Sequence, residues 1–289
     1  MNKALAELIK ISNTTGKDPA LTQGGGGNTS VKTKDHKHMY IKASGTALKD
    51  MNEKSGYRRM NLKAVDEIVE DSQLANLPAN KREVQVVNRL LQACDDNSDS
   101  TARPSVEAHL HALLSDFVIH LHPNAVGAYV NAKNGRSELE KLFSDYTQPP
   151  LWVPYVDPGY MLAKKIQKLV RDYRKTHDAS PSILFLEKHG LFVTADTANK
   201  ALKLVKDVIK TCNSKLTQPT LKKLPTPDSE QIKNTTLAIR NAVYQASGKY
   251  TCVTHFYDKD IAGFLREKQI EKMLKSAPLA PDELVYGNG

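Results

Sequence analysis

The chain has 289 residues, of which 41 are Lys or Arg and 32 are Asp or Glu, so its formal net charge is 41 − 32 = +9. Apolar residues make up 40% and charged residues 25%, which is ordinary for a globular protein and excludes a disordered chain, a collagen-like repeat and a coiled coil. The length predicts one or two domains.

The sequence predicts a soluble, cytoplasmic protein that binds neither a membrane nor nucleic acid. No apolar run approaches the roughly 18 residues of a membrane helix, and residues 1–13 lack the apolar region of a signal peptide. The three cysteines are odd in number and far apart, which argues against a disulfide framework. The positive charge also suits an anionic small substrate, and charge alone does not separate this from nucleic acid. We favour solvated helix faces because the lysines are interleaved with other residues.

Short helices and strands alternate along the chain. Apolar spacing predicts helices over 4–11, 61–71, 81–94, 105–114, 124–132, 159–175 and 198–210, and strands over 30–33, 38–43, 117–122, 151–156, 182–187 and 191–194. This mixed order predicts an α/β or α+β fold without fixing its topology.

A segment without periodicity divides the chain into two parts. Residues 215–231 are rich in Lys, Pro and Thr and are predicted to be a linker. Beyond it we expect a helix over 234–247, a strand over 250–257, a helix over 260–276 and a strand-like end at 282–286. The predicted domains are therefore 1–215 and an appendage at 216–289, which at about 70 residues is small enough that we expect it to pack on the first.

Three histidines predict a metal site. On the strand 117–122 alternate side chains share a face, so His120 and His122 point the same way, and His189 lies at a turn between two apolar strands. Three imidazoles leave one coordination position open, the arrangement of a catalytic zinc site, although another divalent metal that accepts imidazole would also fit. Ordinary core or surface histidines are the alternative, since the His-x-His spacing is common.

One carboxylate is predicted beside these histidines. Glu107 and His111 stand at i and i+4 on one face of the predicted helix 105–114, whereas His109 points elsewhere and is expected to be structural. A carboxylate next to a metal is a natural general base. A surface glutamate that favours the helix dipole is the alternative.

Two polar turns predict an anion site. Gly24 to Gly27 run straight into Asn28-Thr29-Ser30, and a second turn, Ala43-Ser44-Gly45-Thr46, follows the strand 38–43. Glycines allow backbone N–H groups to converge on a phosphate or carboxylate. A flexible linker is the alternative for the glycine run, and no Walker motif is present.

Taken in order, these motifs resemble the class II aldolase/adducin family over roughly residues 1–215. The resemblance rests on Gly-Gly-Asn28-Thr-Ser, Ala43-Ser44-Gly45-Thr46, Pro104-Ser105-Val106-Glu107 with His111, His120-Leu-His122-Pro and Lys188-His189-Gly190-Leu. Residues 25–32 and 155–160 look most like the aldolase part of bifunctional rhamnulose-1-phosphate aldolase/dehydrogenase chains. The stretch ending at residue 283 resembles the segment before their dehydrogenase, although no GxGxxG occurs here.

The resemblance implies a fold, a reaction and a set of site residues. The fold is a three-layer α/β/α sandwich with a mainly antiparallel central sheet, in a homotetramer with active sites between subunits. The reaction is metal-dependent aldol cleavage of a deoxy-ketose 1-phosphate to dihydroxyacetone phosphate and a short aldehyde through a metal-bound enediolate. By the same resemblance, His120, His122 and His189 match the metal ligands, here Zn²⁺ or another divalent ion, Glu107 matches the catalytic acid/base, and Asn28, Ser44, Gly45 and Ser105 match the phosphate-binding positions.

Some features depart from the family pattern or stay open. Val106 stands where some members have a second phosphate-binding hydroxyl. Members also use a tyrosine from a neighbouring subunit as a proton donor to the sugar, and Tyr129, Tyr155 and Tyr160 are unranked candidates for it. The same metal site also serves epimerase, dehydratase and decarboxylase chemistry. A non-catalytic, adducin-like interaction module is a further alternative, which the four retained site residues disfavour.

Overall fold

The alternating segments pair into one seven-stranded sheet in the computed structural model, which describes residues 2–96, 102–217 and 228–276. In chain order the strands are β1 (Asn28–Lys32), β2 (His38–Lys42), β3 (Tyr57–Asn61), β4 (Phe117–Leu121), β5 (Leu151–Val153), β6 (Ile183–Leu186) and β7 (Gly190–Ala195). Their order across the sheet is β3-β2-β1-β4-β7-β6-β5. Only β5 and β6 pair parallel, so the sheet is mainly antiparallel, as the resemblance implies.

Helices connect most of the strands. In the described residues they are α1 (Lys3–Gly16), α2 (Leu62–Glu70), α3 (Ala79–Gln92), α4 (Ala108–Ala112), α5 (Asn124–Val130), α6 (Gly135–Leu142), α7 (Tyr160–His177), α8 (Ala198–Asn213), α9 (Ser229–Ser247), α10 (Lys259–Phe264) and α11 (Ile270–Leu274). Side chains cap several of them: Asn2, Asn61 and Thr197 are the N-cap residues of α1, α2 and α8, and each side chain accepts a backbone N–H of its helix. Across the described ranges, no helix has the length and apolar composition of a membrane span.

Apolar side chains are buried on both faces of the sheet. Ile119 of β4 packs in a cluster with residues of α1, α5 and α8, whereas its neighbour Val118 packs in a second cluster with residues of α7. A third cluster joins Ile41 of β2 to residues of α2 and α3. Alternate residues of one strand thus enter opposite clusters, as the pleat requires. The α/β class is confirmed, and the three-layer sandwich stays a prediction.

Two differences from the predicted elements have clear physical reasons. The helix expected over 105–114 is shorter, because Pro104 forms an antiparallel bridge with Ala43 and the N–H of Ser105 donates to the Lys42 carbonyl. The chain there is extended beside the end of β2 before α4 begins. The strand β3 was not predicted because its sequence, Tyr-Arg-Arg-Met-Asn, lacks apolar alternation. Its buried Arg58 is neutralised by Asp96 at 2.6 Å, which lets a charged residue occupy an inward position.

The C-terminal part differs more from the prediction. Contacts divide the described chain into two units, residues 2–216 and the described part of 217–276. The strand predicted over 250–257 is wrong: these residues form no strand, and they have no paired strand to supply its hydrogen bonds. The helix predicted over 260–276 is split, because tight turns after Phe264 end α10 before α11 begins.

Other predictions for this region remain open. Within the predicted linker, residues 218–227 lie outside the described ones, and Ser229 already begins α9. The strand-like end at 282–286 also lies outside them. The domain boundaries and the packing of the appendage on the first domain stay predictions.

The three thiols should react with very different rates. Cys252 is exposed, Cys94 is half-buried and Cys212 is buried, and burial raises the pKa of Cys94 to about 11 and that of Cys212 to about 12. Because the thiolate is the reactive form, we expect a thiol-titrating disulfide reagent at pH 8 to modify one cysteine rapidly in the native protein and all three after unfolding. Cys252→Ser should remove the rapid phase; a rapid phase that persists in this variant would contradict the assignment.

Candidate active site

The candidate site forms where three neighbouring strands meet at one edge of the sheet. β1 begins at Asn28, which lies opposite His120 near the end of its antiparallel neighbour β4. β4 in turn pairs with β7, whose first residue, Gly190, follows His189. Strand register therefore brings together Asn28, His120 and His189, which are far apart in the sequence.

Glycines allow this close approach at two points. Gly27 has φ of +68°, and a Cβ there would lie 2.8 Å from the carbonyl oxygen of His120. A Cβ on Gly190 would lie 2.6 Å from the carbonyl oxygen of Leu121 and 2.7 Å from the His122 ring. Both contacts are closer than real Cβ atoms make, so the residues beside Asn28 and His189 must be glycine.

The three predicted histidines form one cluster. The Nε2 atom of His120 lies 3.0 Å from Nε2 of His122 and 3.1 Å from Nε2 of His189. The His120 ring is fully buried and stacks on Phe192, with ring centroids 4.1 Å apart. One potential ligand atom from each histidine lies within 4.8 Å of the others. The cluster can hold a divalent metal.

The protonation of His120 fits a metal ligand. Its Nδ1 lies 3.0 Å from the Leu191 carbonyl oxygen, which can only accept, so Nδ1 carries the proton and the lone pair of Nε2 faces the other two imidazoles. Burial lowers the pKa of His120 well below its ordinary value, which keeps the ring neutral. A backbone carbonyl that orients the ring in this way is typical of histidines that bind metals.

Glu107 lies directly beside the cluster. Its Oε2 atom is 3.4 Å from Nε2 of His120, and its Oε1 atom is 3.5 Å from Nε2 of His189. The side chain is buried, and Oε1 has no hydrogen-bond partner within the described part of the chain. Burial raises the pKa of Glu107, but His189, the Asn28 amide and the other nearby imidazoles together outweigh burial, so the net pKa lies below its ordinary value. A buried, charged oxygen therefore faces the imidazoles.

Asn28 connects Glu107 to His111. Its Nδ2 atom donates to Oε2 of Glu107 at 2.7 Å, and its Oδ1 atom accepts from Nε2 of His111. The Nδ1 atom of His111 lies 2.8 Å from the hydroxyl of Ser30. The structure thus places Asn28, which was expected to bind phosphate, in contact with the carboxylate.

The remaining predicted anion-binding residues lie at the adjoining strand ends. The Ser105 hydroxyl accepts the backbone N–H of Glu107 at 3.3 Å, and the Ser44 hydroxyl donates to the Pro104 carbonyl at 3.2 Å. Gly45 has φ of +83° and open space where a Cβ would be. Ser105 is therefore joined to Glu107, while Ser44 and Gly45 form the neighbouring turn. Their roles toward a substrate stay predictions.

Sequence reasoning did not single out Lys42. Lys42 is the last residue of β2 and lies two residues before Ser44. Only 5% of its surface is exposed. Its ammonium group donates to the Gly25 carbonyl at 3.1 Å, within the glycine-rich segment. The sequence did contain a signal for it, because Lys42 directly follows the apolar run Met39-Tyr40-Ile41 and lies just before the Ser44-Gly45 turn.

The three candidate tyrosines are now distinguishable. The hydroxyl of Tyr129 donates to the Cys212 carbonyl and that of Tyr160 to the Asp71 carbonyl, and both side chains are buried. Tyr155 is 48% exposed, its hydroxyl donates to Asp157, and its ring lies under the Lys188 ammonium, next to His189. Of the three, Tyr155 has the accessible hydroxyl.

Comparison with known proteins agrees with this geometry. Residues 6–216 match the family described as "Class II Aldolase and Adducin N-terminal domain". The chain belongs to this family. The match ends where the first structural unit ends, so the unit beyond residue 216 lies outside it.

The individual relatives are distant. An uncharacterized oxidoreductase of Bacillus subtilis, YuxG, is 27% identical over 98% of this chain, but the chain spans only 41% of that protein. The N-terminal class II aldolase domain of a conserved Thermoplasma acidophilum protein superposes with a TM-score of 0.60 at 24% identity, covering 74% of this chain and 94% of that one. YgbL from Klebsiella pneumoniae has a TM-score of 0.52 at 16% identity, covering 80% and 97%. These structures support the fold, and the specific relation to rhamnulose-1-phosphate aldolase/dehydrogenase chains stays a prediction.

Removal of one histidine should abolish tight metal binding. We expect calorimetric titration of the metal-free protein to show about one Zn²⁺ bound per chain, as the three-imidazole set allows. His120→Ala should weaken binding by more than the roughly 10- to 100-fold that loss of an outer-shell partner costs. The exposed His255 provides the control, since His255→Ala should bind like the wild type. Equal Zn²⁺ affinity in His120→Ala and the wild type would contradict the site.

Proposed function

We propose that the protein is a divalent-metal-dependent aldolase that cleaves a deoxy-ketose 1-phosphate, of the rhamnulose- or fuculose-1-phosphate type, to dihydroxyacetone phosphate and a short aldehyde. One observation carries the proposal: a buried carboxylate, Glu107, has one oxygen without a hydrogen-bond partner among the described residues and lies within 3.5 Å of two of three clustered imidazoles. A proton-transfer group beside a cation site is the arrangement that enolate chemistry requires.

The chain's residues divide the work. His120, His122 and His189 would hold the metal, which when bound supplies a Lewis acid that polarises a substrate carbonyl and stabilises negative charge. Glu107 transfers the proton. In cleavage the substrate hydroxyl that becomes the aldehyde oxygen loses its proton to a second group, for which the tyrosine of the family pattern is the candidate. The carbon–carbon bond then breaks to leave the enediolate of dihydroxyacetone phosphate, and Glu107 protonates its carbon. In synthesis both proton transfers run in reverse, and Glu107 removes the carbon-bound proton. The buried position of Glu107 keeps water from competing for it.

A substrate phosphate would be bound by the turn beside this site. Lys42 supplies a positive charge at the end of β2, and the open backbone at Gly45 allows close approach of an oxygen anion. The hydroxyl of Ser44 lies in the same turn. Val106, which is 50% exposed next to Ser105, contributes no hydrogen-bond donor from its side chain, so charge from Lys42 is needed more.

The proposal extends to properties beyond the site. We propose zinc as the metal, a sugar phosphate as the substrate class, a homotetramer, a cytoplasmic location and the three-layer sandwich, each from the resemblance of the motifs to the family. Epimerase, dehydratase and decarboxylase reactions would use the same carboxylate and imidazoles. These reactions act on other substrates than dihydroxyacetone phosphate, so proton exchange into this compound distinguishes them from an aldolase.

Proton exchange into dihydroxyacetone phosphate tests the proposal most directly. In heavy water followed by NMR, the Zn²⁺-loaded protein should exchange one proton of the hydroxymethyl carbon of dihydroxyacetone phosphate, because Glu107 removes and returns it. Glu107→Gln should lose exchange by about 100-fold or more, in the range that general acid–base groups contribute, while still binding Zn²⁺ through the three histidines.

Two outcomes would count against the proposal. Exchange that survives Glu107→Gln at the wild-type rate would remove Glu107 from its role. If the folded, Zn²⁺-loaded wild type exchanges nothing, dihydroxyacetone phosphate is not the donor, and the epimerase, dehydratase and decarboxylase reactions become the better candidates. Stripping the metal with a chelator serves as the control and should stop exchange.

Lys42 should matter only when the donor carries a phosphate. A hydrogen bond to a charged group contributes about 1.5–3 kcal/mol, so Lys42→Met should lower kcat/KM for exchange of dihydroxyacetone phosphate by about 10- to 100-fold. Exchange of unphosphorylated dihydroxyacetone should change little. The exposed Lys34, at the opposite end of the β1–β2 hairpin, gives the matched control Lys34→Met. Equal loss for both donors would show that Lys42 supports the fold rather than the phosphate.

A further inference from the structure

Four polar side chains form a buried chain of hydrogen bonds that ends on Glu107. Ser30 contacts His111, His111 contacts Asn28, and Asn28 contacts Glu107. Ser30 and His111 are fully buried, and Asn28 and Glu107 are 7% exposed. Asn28 and Ser30 are two residues apart on β1 and therefore share one face of the strand. Glu107, the N-cap of α4, and His111 are four residues apart and share one side of the helix. The four side chains can therefore contact one another where this face of β1 packs against this side of α4.

The direction of each hydrogen bond in this chain follows from its partners. A carboxylate oxygen only accepts, so the Asn28 amide nitrogen faces Glu107 and its carbonyl oxygen faces His111. Nε2 of His111 must then carry a proton. Burial lowers the pKa of His111 to about 3, so the ring is neutral, and Nδ1 accepts from the Ser30 hydroxyl. Each of the three contacts thus has one donor and one acceptor.

This arrangement determines how the two carboxylate oxygens are used. Oε2 of Glu107 is held by the Asn28 amide, whereas Oε1 is left toward the imidazoles with no hydrogen-bond partner among the described residues. If the Asn28 amide rotated by half a turn, its oxygen would face the carboxylate and repel it. The Nε2–H of His111 donates to the Asn28 oxygen and adds to the cost of this rotation.

We infer that Asn28, His111 and Ser30 are positioning residues that orient the Glu107 carboxylate. The inference rests on the proposed function of Glu107 in proton transfer. Loss of these hydrogen bonds leaves the three imidazoles of the proposed metal site and the Lys42 turn in place. The expected defect is therefore in the proton-transfer rate, with little change in metal affinity or KM.

Variants at residue 111 test the inference against a matched control. His111→Leu removes the donor to Asn28, whereas His111→Gln keeps an N–H near the position of Nε2. His109, on the same helix, is also fully buried but has no hydrogen bond to Asn28 or Ser30, so His109→Leu controls for the loss of a buried histidine from α4. A displacement of about 1 Å can cost about 100-fold in rate. We expect kcat for proton exchange to fall about 100-fold in His111→Leu, to recover to within about tenfold of the wild type in His111→Gln, and to be preserved in His109→Leu.

A second measurement reads the hydrogen bonds without activity. In ¹⁵N–¹H spectra of the metal-free wild type, His111 should carry its proton on Nε2 and not on Nδ1. The side-chain amide signals of Asn28 should shift in His111→Leu and in Glu107→Gln but not in His109→Leu. Ser30→Ala keeps the donor to Asn28 and should shift these signals from their wild-type positions by less than Glu107→Gln does. This variant tests the hydrogen bonds if His111→Leu does not fold.

The outcomes separate this inference from the proposed function. A His111 ring protonated on Nδ1, or Asn28 amide signals that do not move in these variants, would overturn the hydrogen-bond chain. Equal exchange rates in His111→Leu and His109→Leu would overturn its positioning role. A wild type that exchanges nothing with dihydroxyacetone phosphate would overturn the proposed function, and the amide shifts would still decide whether Asn28 holds Glu107.

Discussion

The burial of one carboxylate is the constraint on which the site depends. Removing the charge of Glu107 from water is costly unless nearby groups compensate it. The compensation comes from the Asn28 amide on one oxygen and from His189, whose Nε2 lies 3.5 Å from the other oxygen. These partners belong to β1 and to the turn before β7, so the charge can be buried only where those two segments meet.

The sheet satisfies this constraint through register and through glycine. Antiparallel pairing of β1 with β4 puts Asn28 opposite His120, and a one-residue slip of β1 would turn Asn28 to the face opposite His120. The turn that carries His189 is held by Lys188, whose φ is +55° and whose N–H donates to the Val130 carbonyl. Gly27 and Gly190 give the backbone separation that the cluster needs. Local backbone geometry and site chemistry thus depend on the same few positions.

Much of this could be predicted from the sequence, and the failures have identifiable causes. The pairing of His120 with His122 on a strand, and the family, followed from short-range patterns; the family is confirmed. The strand β3 was missed because an ion pair between Arg58 and Asp96 substitutes for apolar alternation, and no local pattern reveals a partner 38 residues away. The strand predicted over 250–257 failed for the opposite reason, since its residue types favour a strand but have no strand to pair with. Long-range partners decide both cases.

The candidate site shows the same limit at the level of single residues. Asn28 and Ser105 match positions that hold phosphate in the family, yet their side chains contact the carboxylate and backbone of Glu107. Lys42, which no motif singled out, carries the buried positive charge beside the Ser44 turn. A motif therefore locates the sheet edge where the chemistry occurs, but it does not assign the work within that edge. That assignment depends on which partner each polar atom has: atoms that contact Glu107 are suited to orienting it, and anion binding at the Lys42 turn is our proposal.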